Sequence, residues 1–413
     1  MLRSFPLAVL LAASACVSAW ADGVHLNGVS TRSIGRGGTN LGHADNAAIL
    51  FDNPAGAVFI EPSQLFELGG GVLLTDMRYA DADNPTTRDV NAVPIPQFGA
   101  VVRGEEGLWA VGVGVFTPAG FGQTFTLEGP PPFTGEQLYK SWGSLTKIVP
   151  AAAVKLTDRL SIGGTIGVAV SHAELEGPYT LQNAGVLTGL PTLIDVQATG
   201  AAPIFSVGLQ YRLSDATTVG LAYQSESRFH LDGNAAVALP GLGPLRFDAD
   251  VDVTYPRTLG LGVRHQLDRQ RVVSADVVWF NWSAAFDDFG ITLTQAPLPS
   301  LHELFPLAWR DSVSVRVGYE QTLREVHTLR GGYVYHRNPI PDDTLTPYIP
   351  ATLEHGFSAG YGRRWGDWDI DLAYMFLFGP EVFVDTGLTG GDFDESTHKA
   401  YAHFLGVNAI YRY

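Results

Sequence analysis

Two sets of residues in this chain have the types and spacing that acyl-transfer chemistry uses. His302 is followed by Glu303, and His230 stands between Ser227 and Asp232, so one set offers a base with its carboxylate and the other adds a hydroxyl. Such groups work only when hydroxyl, imidazole and carboxylate converge, and a serine nucleophile usually sits on a G-x-S-x-G turn. Neither set has that context, and eleven scattered histidines make such neighbours common. No catalytic residue is expected; a lipase or deacylase stays only as an alternative.

The other polar signals carry as little. "GRGG" at 35–38 has the glycines of a phosphate-cradling loop, but no lysine follows and no strand-loop-helix unit surrounds it, so no nucleotide or other cofactor is expected. "DADN" (81–84) and "GDFDES" (391–396) gather carboxylates of the kind calcium accepts. Their spacing is not that of a calcium loop, so they read as solvated acidic loops and no metal is expected. The net charge of −16 would repel nucleic-acid phosphates.

What stands out instead is apolar. "LTGLPTLI" (187–194) and "AAVALPGLGPL" (235–245) carry large aliphatic side chains and no charge in stretches that read as outer loops. Exposed apolar patches mark binding or membrane surfaces. Leu187, Leu190, Leu193, Ile194, Val237, Leu239 and Leu242 are therefore candidate capture residues for a hydrophobic small molecule, with packing of the two loops on each other as the plainer alternative.

The elements that must position these loops are strands. In "DSVSVRVGYE" (311–320) Val313, Val315, Val317 and Tyr319 share one face and Ser312, Ser314, Arg316 and Glu320 the other; "DWDIDLAYMF" (367–376) and "TLGLGVRH" (258–265) repeat the pattern. Period two with one oily and one polar face is the strand signature. Six short connections (near 103–107, 156–159, 213–216, 267–271, 322–326 and 364–367) alternate with seven long ones (near 80–91, 117–143, 175–200, 230–246, 286–308, 337–351 and 379–399), which gives fourteen strands. An even strand number with short turns on one side and long loops on the other describes an all-β, antiparallel transmembrane barrel of a bacterial outer membrane. The bilayer demands closure, since an open edge in lipid leaves backbone groups unpaired. Single-chain closure favours a monomer surrounded by outer-membrane lipid and lipopolysaccharide.

The start of the chain differs. Arg3, an apolar run and "AWAD" at 19–22 read as a secretory signal over 1–21, and the only cysteine, Cys16, falls within it. Nothing after Ala21 reaches the length of a membrane helix. The segment that follows, "GVHLNGVSTRSIGRGGTNLGHADNAAILFDNPAGA", together with "KLTDRLSIGG" (155–164), "YPRTLGLGV" (255–263), "WRDSVSVRVGY" (309–319) and "NPIPDDTLTPYIP" (338–350), resembles the FadL-type outer-membrane transporters of long-chain fatty acids, a family that also includes channels for aromatic hydrocarbons.

That resemblance implies a small N-terminal hatch at 22–60 plugging a barrel at 61–413, with Asn53, Pro54 and Ala55 at the seam. It implies passive uptake: capture between the two apolar loops, an internal pocket touching Val24, Leu26 and Leu175, and lateral release where the third strand kinks. Gly112 and Gly114 in "LWAVGVGVFTP" (108–118) are the expected place of that opening, because strand-interior glycines weaken a strand. One departure bears on cargo. Gly177 stands where the fatty-acid transporters carry an arginine near the ligand carboxylate, which suits a neutral molecule unless Arg316, Arg264 or Arg330 supplies the cation. A general porin for polar solutes is the other alternative.

Overall fold

The computed structural model describes residues 23–413 except 184–186, 240, 242, 298–299 and 389–391. The expected signal (1–21) and Leu242 lie outside the described residues.

The exposure of the alternating rows is inverted relative to a soluble protein. Val315, Val317 and Tyr319 are exposed while Ser312, Ser314 and Arg316 are buried, and Ile370, Leu372 and Tyr374 are exposed while Asp369 and Asp371 are buried. An oily face outside and a polar face inside is what a lipid-facing wall requires.

The wall has fourteen antiparallel strands. They are β1 (Gln64–Ala80), β2 (Thr87–Arg103), β3 (Trp109–Glu128), β4 (Glu136–Lys155), β5 (Leu160–Thr180), β6 (Pro191–Arg212), β7 (Thr217–Gln224 continued by Ser227–Ala238), β8 (Leu245–Tyr255 and Thr258–Gln266), β9 (Arg271–Phe280 and Asp288–Thr294), β10 (Leu301–Pro306 and Ser312–Leu323), β11 (His327–Tyr335), β12 (His355–Trp365), β13 (Trp368–Phe378 and Val382–Val384) and β14 (Ser396–Arg412). β1 closes the barrel on β14, in register from Leu65↔Arg412 to Ala80↔Thr397. On β13 the outward face runs from Trp368 to Phe378, eleven residues that span about 25 Å at a usual strand tilt. Trp368 packs on Tyr411 at the lower edge, and Phe376, Phe378, Phe357 and Tyr401 stack at the upper edge, as interfacial aromatic girdles do.

The six short turns fall where alternation places them, but the long connections are shorter than expected except the one between Tyr335 and His355. β5 and β6, at 21 and 22 residues, run far past the 9–11 residues a bilayer needs. They absorb much of the expected loop at 175–200, and β7 absorbs part of that at 230–246. The cause is visible locally: Ile194, Val196 and Ala198 keep the inward parity and are buried.

Residues 23–60 fill the lumen. They contain only two one-turn helices, α1 (Thr31–Ile34) and α2 (Ile49–Asp52), and a 3-10 helix at Pro54–Phe59. α2 stops at Asn53, which Pro54 holds extended at φ −155°, ψ 91°. So short a segment has little regular structure of its own; its turns bond internally, and polar groups of the wall take many of the backbone groups left over.

Candidate functional site

Polar side chains of the wall hold the lumen segment from all sides. Ser161 of β5 donates to the Ala55 carbonyl at 2.8 Å, Gln224 of β7 to the Phe51 carbonyl at 2.9 Å, and Asp276 of β9 accepts from the Asn40 amide at 2.7 Å. Asn53 donates to the carbonyls of Leu41 (2.9 Å) and Leu209 (3.0 Å) and accepts from the Ala55 amide. The Asn53–Pro54–Ala55 turn thus anchors the segment to β5 and β6 and touches no cavity.

The second fastening is ionic. Arg36, wholly buried, donates to Asp45 at 2.8 Å and to Glu320 of β10 at 3.0 Å. Arg32 reaches Asp369 and Asp371 of β13, and Arg330 of β11 joins Glu320 to Asp371 at 2.8 and 2.7 Å. Burial alone would raise the Asp45 carboxyl, but Arg36 outweighs it and holds Asp45 well below the usual carboxylate range. Asp52, whose Asn40 contact is too weak to offset burial, is pushed up to about 7. Gly37 and Gly38 of "GRGG" have φ of +74° and +81°, and a side chain on Gly37 would meet the β10 backbone. The loop is built for this close approach.

The wall itself is interrupted between β2 and β3. These strands pair only from Arg103↔Ala110 to Gln97↔Phe116. β2 remains paired with β1 up to Tyr79↔Thr87, and β3 slips register between Phe116 and Ala119, then follows β4 to Glu128↔Glu136. Proline supplies the cause. Pro94 and Pro96 lack amide hydrogens; since the ladder to β1 is unbroken, the missing donors fall on the edge facing β3, where Pro118 sits at the slip. Above the gap only side chains bridge the seam, with Asp89 accepting from the Thr124 amide at 2.8 Å and Asn91 donating to the Gly122 carbonyl at 3.3 Å. Gly112 and Gly114, the expected opening, lie in the fully paired part below it (Gly112↔Val101, Gly114↔Gly99), because glycine keeps its amide and proline does not.

The lumen segment occupies the edge that β2 leaves free. His25 bridges Ala119 as an antiparallel pair, the Leu26 amide donates to the Pro118 carbonyl at 2.8 Å, and the Gly120 amide to the Val24 carbonyl at 3.3 Å. Val24 and Leu26, expected in the inner pocket, are thus residues of a three-residue strand added to β3. Val24 is buried, and Leu26 packs against the apolar cluster that includes Ile34, Leu73, Val93 and Ile95.

On the long-loop side of this plug lies an apolar cavity of about 80 Å³. Leu175 lines it as expected, with Phe121, Trp142, Tyr179, Phe305 and Tyr348 among its neighbours. Among the described lining residues the ionisable acids are Glu174 and Asp392, and there is no arginine, lysine or histidine. Gly177 stands beside it with φ +152°; a Cβ there would lie 2.3 Å from the Tyr348 hydroxyl, which donates to the Pro178 carbonyl. The alternative cations are elsewhere: Arg330 is in the ionic fastening, Arg264 faces the short-turn mouth, and Arg316 sits beside His25 and Asp276.

The two apolar stretches meet as paired strands. Ile194 faces Val237 and Leu193 faces Ala238. Ile194 and Val237 are buried in the core, and Leu187 and Leu190 pack against it. Leu193, Ile194, Ala236, Ala238 and Leu138 line a groove of about 190 Å³. Leu239 is half-buried beside it.

The short-turn mouth is different in kind. Its cavity of about 620 Å³ is lined by charged residues such as Arg212, Arg264, Arg412, Glu61 and Asp371. The hydrolase-like sets do not assemble: His302 faces outward to Thr292 while Glu303 points inward to Tyr179, and Ser227 is buried while His230 is outside with Asp252. Asp81 of "DADN" accepts from the Asp83 and Asn84 amides and closes its own turn.

A family profile described as outer membrane protein transport protein (OMPP1/FadL/TodX) matches residues 12–413. Outer membrane protein P1 of Haemophilus influenzae is 23% identical over 473 aligned positions, covering 98% of each chain. The Pseudomonas putida toluene transporter TodX superposes with a TM-score of 0.79 at 22% identity, over 94% of this chain and 99% of that one. A Pseudomonas aeruginosa FadL homologue gives 0.79 at 19% identity with the same coverage.

Proposed function

The chain belongs to the outer membrane transport protein family of OMPP1, FadL and TodX, and from that premise we propose that it passes neutral hydrophobic molecules inward by diffusion and releases them sideways between β2 and β3. The observation that carries this reading is the cavity lined by aromatic rings and two carboxylates, with no basic side chain among its described residues. A fatty-acid carboxylate would meet Glu174 and Asp392 there, whereas an uncharged aromatic molecule loses nothing.

Energetics favour the lateral route. A seven-carbon hydrocarbon is favoured in lipid over water by about 5 kcal/mol, at ~0.8 kcal/mol per carbon. The way straight down crosses the charged 620 Å³ mouth, while the β2–β3 gap opens on the bilayer. Capture begins at the groove by Leu193 and Ala238, and the cargo moves to the cavity beside Leu175. It leaves when Val24–Leu26 detach from β3. Each step is weak and reversible, as a passive channel requires. The barrel acts as a monomer among lipid and lipopolysaccharide, with no cofactor and no covalent step.

The test is uptake of radiolabelled toluene and oleate by cells lacking their own transporter, with and without this protein. Selective toluene uptake is expected. Selective oleate uptake overturns the neutral-cargo reading, and faster entry of small polar solutes alone replaces it with a porin.

A further inference from the structure

Trp142 touches both the cavity and the gap. It is one of the side chains lining the cavity, it packs against an apolar cluster to which Val93 and Ile95 of β2 belong, and the carbonyl of its ladder partner Gly122 accepts from Asn91 of β2 across the gap. Its partner across the β3–β4 ladder is Gly122, and a Cβ on Gly122 would lie 2.4 Å from the indole, so the ring rests flat on bare backbone. Leu26 packs on the same cluster. At about 80 Å³ the cavity is smaller than the ~150 Å³ of an engineered cavity that binds benzene, so a lining side chain has to move before an aromatic molecule fits. Three of the large lining rings are held in place: the Tyr179 hydroxyl donates to Glu303, the Tyr348 hydroxyl to Pro178, and the Tyr179 and Phe305 rings are stacked at 4.2 Å.

We propose that Trp142 is the specificity-determining door of the transport route, an indole that swings on Gly122 between cavity and gap and limits the size of molecule that passes. The inference rests on lateral release. It goes beyond that reading by assigning the size limit to one side chain of the wall rather than to the lumen segment. With the indole against the cluster the cavity is shut off from the gap; with the indole turned away and Val24–Leu26 detached, cavity and bilayer are continuous. Nothing needs to move in the wall, because β4 remains paired with β5 on its other side.

The experiment compares wild type, Trp142→Phe and Trp142→Ala in transporter-deficient cells, with labelled toluene, naphthalene and sucrose. The ratio of naphthalene to toluene uptake is expected to rise roughly fivefold or more in Trp142→Ala, within the range that pocket size contributes to discrimination, with Trp142→Phe between. Sucrose entry stays at the wild-type level, since the lumen segment is untouched. A purely structural role would change both hydrocarbons in proportion, and a constant ratio in both variants overturns the proposal. If wild type itself moves neither hydrocarbon, lateral release fails and Trp142 falls with it; if wild type moves both at a ratio the variants share, only Trp142 is wrong.

Discussion

The backbone N–H of Leu26 donates to the carbonyl of Pro118 at 2.8 Å, on the edge of β3 that β2 abandons after Phe116. The lumen segment therefore supplies the strand that the wall lacks. A seal of so few backbone bonds, worth about 1 kcal/mol each, can open on its own. Leu26→Pro removes this donor and is expected to raise toluene uptake at low concentration by up to roughly fivefold, with the melting of the barrel unchanged. Reduced uptake with an intact barrel would place the seal elsewhere.

Asn53 satisfies two carbonyls, Leu41 and Leu209, with one amide. Asn53→Ala takes a donor from each, and a buried acceptor such as Leu41 left unpaired costs about 1–3 kcal/mol. Amide exchange around residues 41–56 is expected to accelerate accordingly while wall amides stay protected. Equal loss of protection in the wall would mean that the segment and barrel unfold as one unit.

Arg36, itself fully buried, balances Glu320 and Asp45, whose carboxylates border the short-turn mouth. Arg36→Ala takes the main partner from Asp45 and leaves Glu320 with Arg330 alone, a loss below the about 3–5 kcal/mol of a fully stranded buried charge. The lumen segment should loosen, and single-channel recordings should show new conductance to ions. The Arg36→Met, Glu320→Leu double variant should be less leaky than Arg36→Ala. If the single variant conducts no better than wild type, the ionic fastening does not hold the plug.

Asp52 gives a pH dependence with a defined sign. Burial raises its folded pKa to about 7 from an ordinary 3.8, so the folded segment binds a proton that the released chain gives up. That contribution is complete below pH 3.8 and is lost as pH rises through 7. The difference in segment protection between wild type and Asp52→Asn, measured by amide exchange at each pH, should therefore shift against wild type across this window and level off above it. A difference that is flat from pH 4 to 8 would contradict the assignment.

Much of the wall is legible in the sequence, because each spanning strand must show lipid one face and the lumen the other. Val315, Val317 and Tyr319 against Ser314 and Arg316 reveal that locally, strand by strand. The seam is harder to find. Gly112 and Gly114 look like a weakness, yet a glycine keeps its place in a ladder; Pro94, Pro96 and Pro118 remove donors, and their spacing on adjacent strands was the available signal. The strand Val24–Leu26 is too short for any periodicity and exists only because β3 has a free edge. The cavity draws Leu175, Phe305 and Tyr348 from distant parts of the chain, so spacing cannot show it. Ile194 and Val237 are legible as oily, but their pairing across β6 and β7 follows from register alone.

The most direct test locks the seal. His25 and Ala119 face each other as an antiparallel pair, a Cα separation that a disulfide spans, and the one natural cysteine, Cys16, lies before the lumen segment. The His25→Cys, Ala119→Cys variant should take up toluene when reduced and lose that uptake when oxidised, with dithiothreitol restoring it. Undiminished uptake by the oxidised, demonstrably cross-linked protein would contradict lateral release past β3.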